Sequence, residues 1–270
     1  MSAARKAIFV VAGVGNGFGT GAASARAFAK AGYRVALIAR NPESLANAAK
    51  GIQAQGGEAA AFPIKAYTHA DVKAGFDEIK KYWPDGEIRV ALWNAASFVR
   101  KEFLELTEEE IEESTQTNII GAFAFSRQAL LAFQDLELND KGKRGSLLFT
   151  SATAAWRGNK ATSAFASGKT GQRALAQSLN KEFGPKNIHV SNVIVDGLIL
   201  TDRMSGLDAY KSLLEDENKR LSPESIANPL LEDENKRLSP ESIANSYLYL
   251  VNQDRSAWTF ELDLRPAHET

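Results

Sequence analysis

Along this chain, short apolar runs of about six residues, rich in Val, Ile, Leu, Phe and Ala, alternate with longer stretches whose apolar positions recur every three or four residues. The runs predict strands at Ala7–Ala12, Arg34–Ala39, Ala59–Ile64, Ile88–Trp93, Ser146–Thr150, His189–Val195 and Phe260–Leu264. The periodic stretches predict helices at Thr20–Ala31, Pro42–Gln55, Ala70–Tyr82, Glu108–Leu136 and Thr162–Phe183. Strand–helix alternation is the mark of a parallel sheet covered on both faces. The expectation is therefore an α/β fold, a doubly wound parallel seven-stranded sheet flanked by helices, with its ligand beyond the carboxyl ends of the strands at the switch point. No linker interrupts the pattern, so residues 1–270 read as a single domain.

One stretch breaks the rhythm. Leu213–Asn228 and Leu230–Asn245 are identical over sixteen residues, with Pro229 as the only spacer. Two copies are too few for a repeat architecture, and 213–245 reads as a local duplication. Only the second copy runs on into a helix pattern, Pro240–Val251, with Ser239 as N-cap and Pro240 in the first turn, where a missing N–H does little harm. In the first copy Pro229 drives Asn228 out of the helical region.

Composition narrows the function. The chain has 270 residues, 44% of them hydrophobic, and Lys+Arg 32 against Asp+Glu 33, which argues for a large core and against a polybasic nucleic-acid binder. The absence of Cys removes thiolate catalysis and Cys-ligated zinc, and His69, His189 and His268 have no metal-binding spacing, so no metal is expected. The apolar run near the N-terminus is too short for a signal-peptide core or a membrane span, which predicts a soluble, cytoplasmic protein without membrane contact.

The first strand ends in Ala12-Gly-Val-Gly-Asn-Gly-Phe-Gly19, followed directly by a helix. Glycines there allow a tight turn and close backbone approach to a pyrophosphate, while free N–H groups at the helix start supply positive potential. The spacing Gly13-xxx-Gly17-x-Gly19 resembles the turn of the short-chain dehydrogenase/reductase family, whose Rossmann-type fold it implies, and the resemblance runs through nearly the whole chain. Asn94-Ala95-Ala96 is similar to the family's NAG element, Asn118 to its helix Asn that holds a structural water, Lys169 to the Lys of YxxxK, and Asp196-Gly197-Leu-Ile-Leu-Thr201 to PGxxxT with Asp for Pro. The resemblance makes Gly13, Asn16, Gly17, Phe18, Gly19, Asn94, Ala95, Lys169, Gly197 and Thr201 the cofactor-binding candidates.

A carboxylate at the end of the second strand would favour NAD, but the site reads Ala39-Arg40-Asn41. A guanidinium in place of the acid favours a 2′-phosphate, so NADP(H) is expected, with NAD(H) as the alternative if Arg40 only stacks on adenine or lies in solvent.

Catalysis is where the chain departs from the family. Reduction of a carbonyl needs a proton for the developing alkoxide. The resemblance implies a Tyr four residues before Lys169, but Phe165 stands there, and thirteen residues earlier, where the family has Ser, stands Ala152 flanked by Ser151 and Thr153. Asn118, Ser151 and Lys169 are the surviving catalytic candidates, and Asp196 or Tyr210 are the substitute donors, burial being what would make a carboxyl able to donate. Two classes of function follow: an NADP(H)-dependent oxidoreductase acting on a carbonyl, an alcohol or an activated double bond through an unusual donor, or a dinucleotide-binding protein without turnover whose occupancy controls a partner. Trp93, Phe98, Trp156 and Phe165 suggest an apolar small-molecule substrate. The long helices, as in the family, suggest a homodimer or homotetramer.

Overall fold

A computed structural model describes residues 6–15, 17–199 and 237–267. Asn16, Thr201, Tyr210, His268 and the duplicated segment up to Lys236 lie outside the described residues. The strands are β1 Ala7–Ala12, β2 Arg34–Ala39, β3 Glu58–Pro63, β4 Glu87–Trp93, β5 Gly145–Ala152, β6 Ile188–Val195, β7 Leu198–Ile199, β8 Arg237–Leu238 and β9 Glu261–Leu264. The helices are α1 Thr20–Lys30, α2 Pro42–Ala54, α3 His69–Tyr82, α4 Glu108–Thr115, α5 Gly121–Phe133, α6 Ser163–Phe183 and, as α7, Pro240–Asn252.

Seven strands form one sheet in the order β3-β2-β1-β4-β5-β6-β9, every pair parallel, as the alternating pattern predicts. Chain order reverses between β1 and β4, so the crevice at the carboxyl ends opens there. Each strand alternates sides. One face packs Trp93, Phe149 and Leu147 against Phe76 of α3, Phe125 of α5 and Leu175 of α6. The other packs Phe9, Leu37 and Leu148 against Phe28 of α1, Ile52 of α2 and Tyr247 of α7. Among the described residues no helix is long and apolar enough to cross a membrane.

Two expectations need correction. The helix predicted over Glu108–Leu136 runs on to Phe133 but is not regular: a π turn at Gln116–Ile120 lies between α4 and α5. Within that turn the Asn118 side chain reaches out to the backbone of Ser97. The second correction is the extra two-stranded ribbon, β7 paired in parallel with β8, which links the end of β6 to the start of α7. It is too short to carry a periodic signal.

Ser239 caps α7 by accepting from the backbone N–H groups of Glu241 and Ser242, and Pro240 sits buried in its first turn. The residues after the repeated SPESIAN decide which copy docks. From the second copy α7 buries Tyr247, Leu250 and Val251. In the register of the first copy those positions would be Leu230, Asp233 and Glu234, behind Pro229. Two carboxylates would enter an apolar core and a proline would interrupt the helix, so the second copy takes the place.

β6 carries an acid-sensitive point. His189 is fully buried, bonded through Nε2 to the Thr259 carbonyl at 2.9 Å and to Ser191 Oγ at 2.8 Å, and stacked on Trp258 with ring centroids 5.0 Å apart. Burial drives its imidazole down to about 4. An unfolded chain would protonate the ring near its ordinary value of about 6.5, so the folded state is favoured above that pH and loses stability as pH falls from there towards 4. Urea unfolding should show a loss of about 2 kcal/mol between pH 7 and pH 5 through this one group. In His189→Gln that slope should flatten, and an unchanged slope would assign the acid sensitivity elsewhere.

Candidate active site

The crevice begins at the glycine turn. Gly13 has φ +89° and Gly17 φ +103°, conformations open to glycine alone at little strain. A Cβ on Gly13 would lie 2.5 Å from the Ala95 nitrogen, and one on Gly21 would lie 2.2 Å from the Gly13 carbonyl oxygen, so turn, helix and the end of β4 are in backbone contact. Gly21 was not among the residues singled out from the sequence. The Gly13 N–H donates to the Ile38 carbonyl, tying the turn to the end of β2. Arg26 of α1 donates to the Gly17 carbonyl at 2.9 Å and pairs with Glu241 of α7 at 3.0 Å. α1 has no acidic residue in its first turn and no side-chain cap, so its leading N–H groups and positive dipole end face the crevice unopposed. This cradle suits an anionic pyrophosphate.

A hydrogen-bonded hub joins the turn to the far side of the crevice. Asn94 Nδ2 donates to the Gly13 carbonyl at 2.7 Å, and Asn94 Oδ1 accepts from Thr150 Oγ1 at 2.8 Å. Thr150 has then spent its only proton, so the Tyr247 hydroxyl, 2.7 Å away, donates to it. Burial pushes the Tyr247 phenol up, which keeps that donor protonated. The Thr150 carbonyl accepts from Lys169 Nζ and from Gln172 Nε2, both at 2.9 Å. Thr150, Gln172 and Tyr247 carried no motif in the sequence, yet they connect the glycine turn with Lys169.

Lys169 is 3% exposed, also bonded to Gln172 Oε1 at 3.2 Å, and burial lowers its ammonium to about 8. Its Nζ lies 5.8 Å from the centroid of the Phe165 ring one turn earlier on α6, and Phe165 meets Phe98 edge-on at 5.0 Å. Asn118, fully buried, accepts from the Ser97 N–H at 3.1 Å and donates to the Ser97 carbonyl and Ser114 Oγ, pinning the segment after β4 to α6 through the Ser114 bond to the Ala164 carbonyl.

A model of the short chain dehydrogenase family matches residues 7–211. The chain belongs to the short-chain dehydrogenase family. It is 32% identical over 200 residues to the 3-oxoacyl-[acyl-carrier-protein] reductase of Bos taurus, covering 74% of this chain and 79% of the relative. Over its length it is similar to a short-chain dehydrogenase from Rhodopseudomonas palustris, with 29% identity, a TM-score of 0.73 and coverage of 97% of this chain and 99% of that one. An actinorhodin polyketide ketoreductase structure with NADPH shares the fold at 20% identity and a TM-score of 0.80, covering 97% and 96% of the two chains.

Within this short-chain dehydrogenase fold the remaining candidates take definite places. β5 runs through Ala152, so Ser151 faces the α6 side with Phe149; it is 3% exposed and its Oγ has no hydrogen-bond partner among the described residues. Thr153 begins a short 3-10 turn and its hydroxyl donates to Asp196 Oδ1. Asp196 Oδ2 lies 3.2 Å from Arg265 Nη2, so the carboxyl speculated to be a donor is engaged through both oxygens by a donor and a cation. Gly197 follows with φ +151°, packed on Pro266. Phe18 projects from the turn, 55% exposed. Ala95 is buried beneath Gly13. Arg40 does not stand free: its Nη1 is 2.5 Å from Glu113 Oε1, with its guanidinium 5.6 Å from the Tyr67 ring centroid.

Proposed function

We propose that this chain is an NADP(H)-dependent oxidoreductase that acts on a carbonyl, an alcohol or an activated double bond without a tyrosine proton donor. The observation that carries the reading is the continuous hub from the Gly13 carbonyl through Asn94 and Thr150 to Lys169, which holds the pyrophosphate cradle and the lysine in one rigid frame. Gly13, Gly17, Gly19 and the start of α1 would hold the pyrophosphate, Asn94 and Ala95 the strand end beside it, and Lys169 the nicotinamide end. A nicotinamide bound there supplies a hydride. The reductase named among the relatives agrees with that chemistry.

The described residues supply little acid, and Tyr210 lies outside them. Phe165 has no proton to give, and the hydroxyl of Thr153 is given to Asp196. The Ser151 hydroxyl has no partner among the described residues but is buried out of reach of a substrate, which leaves protonation to water. Activated double bonds, whose α-carbon accepts a proton from solvent, are the substrate class that tolerates this best. Phe98, 63% exposed, and Trp156, 40% exposed, offer an apolar approach. The same absence of an acid supports the second reading, a dinucleotide-binding protein without turnover.

Calorimetric titration with NADPH and NADH, run beside NADPH oxidation over a panel of ketones and enones, separates the two readings. Binding with enone turnover supports the oxidoreductase; binding without any turnover supports the binding protein; no binding of either nucleotide overturns both. NADPH should bind more tightly than NADH, and Arg40→Ala should bring the two affinities together, because only the phosphate gains from the guanidinium. Equal affinities in the unmodified chain would remove NADP(H) from the reading.

A further inference from the structure

We propose that Glu113 is a specificity-determining residue of this dinucleotide site, an internal anion that competes with the 2′-phosphate of NADP(H) for Arg40. The inference rests on the dinucleotide-binding reading above and deepens it.

Arg40 leaves the sheet immediately after β2, one strand from the glycine turn, and the Gly13 N–H bond to Ile38 holds the two together. Glu113 comes from elsewhere, the last turn of α4, five residues before Asn118. Their contact at 2.5 Å therefore bridges the crevice from the β2 side to the α4 side. Neither side chain wanders freely. Arg40 lies over the Tyr67 ring, which is itself fixed edge-on to the buried Trp93 at 5.1 Å, while Gln116 Nε2 donates to the Tyr67 carbonyl at 2.9 Å. Glu113 Oε1 takes a second hydrogen bond from Thr117 Oγ1 at 3.1 Å. The bridge is thus a built pair resting on an aromatic floor.

Its consequence for selection follows from charge. The side chains are 47% and 43% exposed, so the pair is weak and a phosphate can displace the carboxylate. Displacement leaves Glu113 tethered by Thr117 close to the incoming phosphate, whose charge it repels. Both effects, the competition and the repulsion, act on NADPH and on nothing in NADH, whose ribose carries a neutral hydroxyl in that place. The acid that NAD-selective sites carry at the end of β2 is missing here, and α4 returns a carboxylate to the same neighbourhood. Arg40 attracts the phosphate while Glu113 reduces the advantage, leaving a muted preference for NADPH.

The test is a double-mutant cycle of Glu113→Gln and Arg40→Ala in the full chain, with calorimetric titration of NADPH and NADH into all four proteins. Glu113→Gln is isosteric at an exposed position and thermal melting followed by circular dichroism should confirm that it folds as the parent does. It should tighten NADPH about tenfold while leaving NADH within about twofold or weaker, so that the affinity ratio widens. In the Arg40→Ala background the same substitution should gain less than about threefold, because no guanidinium is left to release. A ratio in Glu113→Gln equal to that of the parent, or a gain undiminished without Arg40, overturns the proposal. If neither nucleotide binds any of the four proteins, the dinucleotide reading itself fails and the proposal falls with it.

Discussion

Phe165→Tyr together with Ala152→Ser is expected to raise NADPH-dependent reduction of ketones by about 10²–10⁴-fold, the usual contribution of a positioned general acid. The frame for the new hydroxyl already exists. Phe165 projects from α6 one turn before Lys169, whose Nζ lies 5.8 Å from the ring centroid and is held there by the Thr150 carbonyl and Gln172. The ammonium, brought down to about 8 by burial, is still mostly charged at neutral pH and would favour a phenolate beside it, lowering the phenol towards the working range. Ala152 ends β5 opposite Val195, next to the Thr153–Asp196 bond, where an added hydroxyl would meet the same substrate oxygen. The two groups act on one atom, so the double variant should exceed the product of the single gains. Initial rates over a broad ketone panel, with NADPH binding measured in parallel, check this. A double variant that binds NADPH as the parent does and reduces no ketone faster would show that missing hydroxyls are not what limits this site.

What could be read from the sequence followed how local each cause is. The seven strands of the main sheet and the glycine turn were legible because short apolar runs, strand-then-glycine order and the need for positive φ at Gly13 and Gly17 are settled by neighbours in sequence. Ser239 and Pro240 announced the start of α7 for the same reason. The π turn after Thr115 was invisible, since the Asn118 side chain it carries bonds to Ser97, 21 residues away. Thr150 and Tyr247 looked like ordinary strand and core residues; their roles arise from hydrogen bonds spanning 56 and 97 residues. Arg40 was legible as a cation in the place of an acid, whereas its partner Glu113 lay hidden in the acidic run of Glu108–Glu113, a stretch that reads as a solvated helix face. Ser151 and Thr153 could not be told apart until β5 was seen to extend through Ala152, which sends the one towards α6 and frees the other to turn into the bond with Asp196.

Gly21→Ala should damage the protein more than its chemistry suggests. Alanine is the better helix former by about 1 kcal/mol, and at an open helical position the exchange is stabilising. Gly51 on α2 is such a position, with nothing among the described residues within 4 Å of an added Cβ. At Gly21 the Cβ would stand 2.2 Å from the Gly13 carbonyl oxygen and 2.8 Å from Asn94 Nδ2. No rotamer relieves a Cβ, and the obstruction is backbone, so either α1 must move off β1 and α7 or the turn must open and surrender the Asn94 bond to Gly13. Forcing extra volume into such a contact costs about 1–3 kcal/mol, which outweighs the gain in propensity. The turn that opens is also the proposed pyrophosphate cradle, so nucleotide affinity should fall at least about tenfold, since a displacement of roughly one ångström spoils several N–H contacts at once. Gly51→Ala is the internal control, with equal or higher melting temperature and unchanged NADPH affinity. Should Gly21→Ala melt as Gly51→Ala does and bind NADPH as the parent does, the close approach of α1 to the turn would not be what shapes the site.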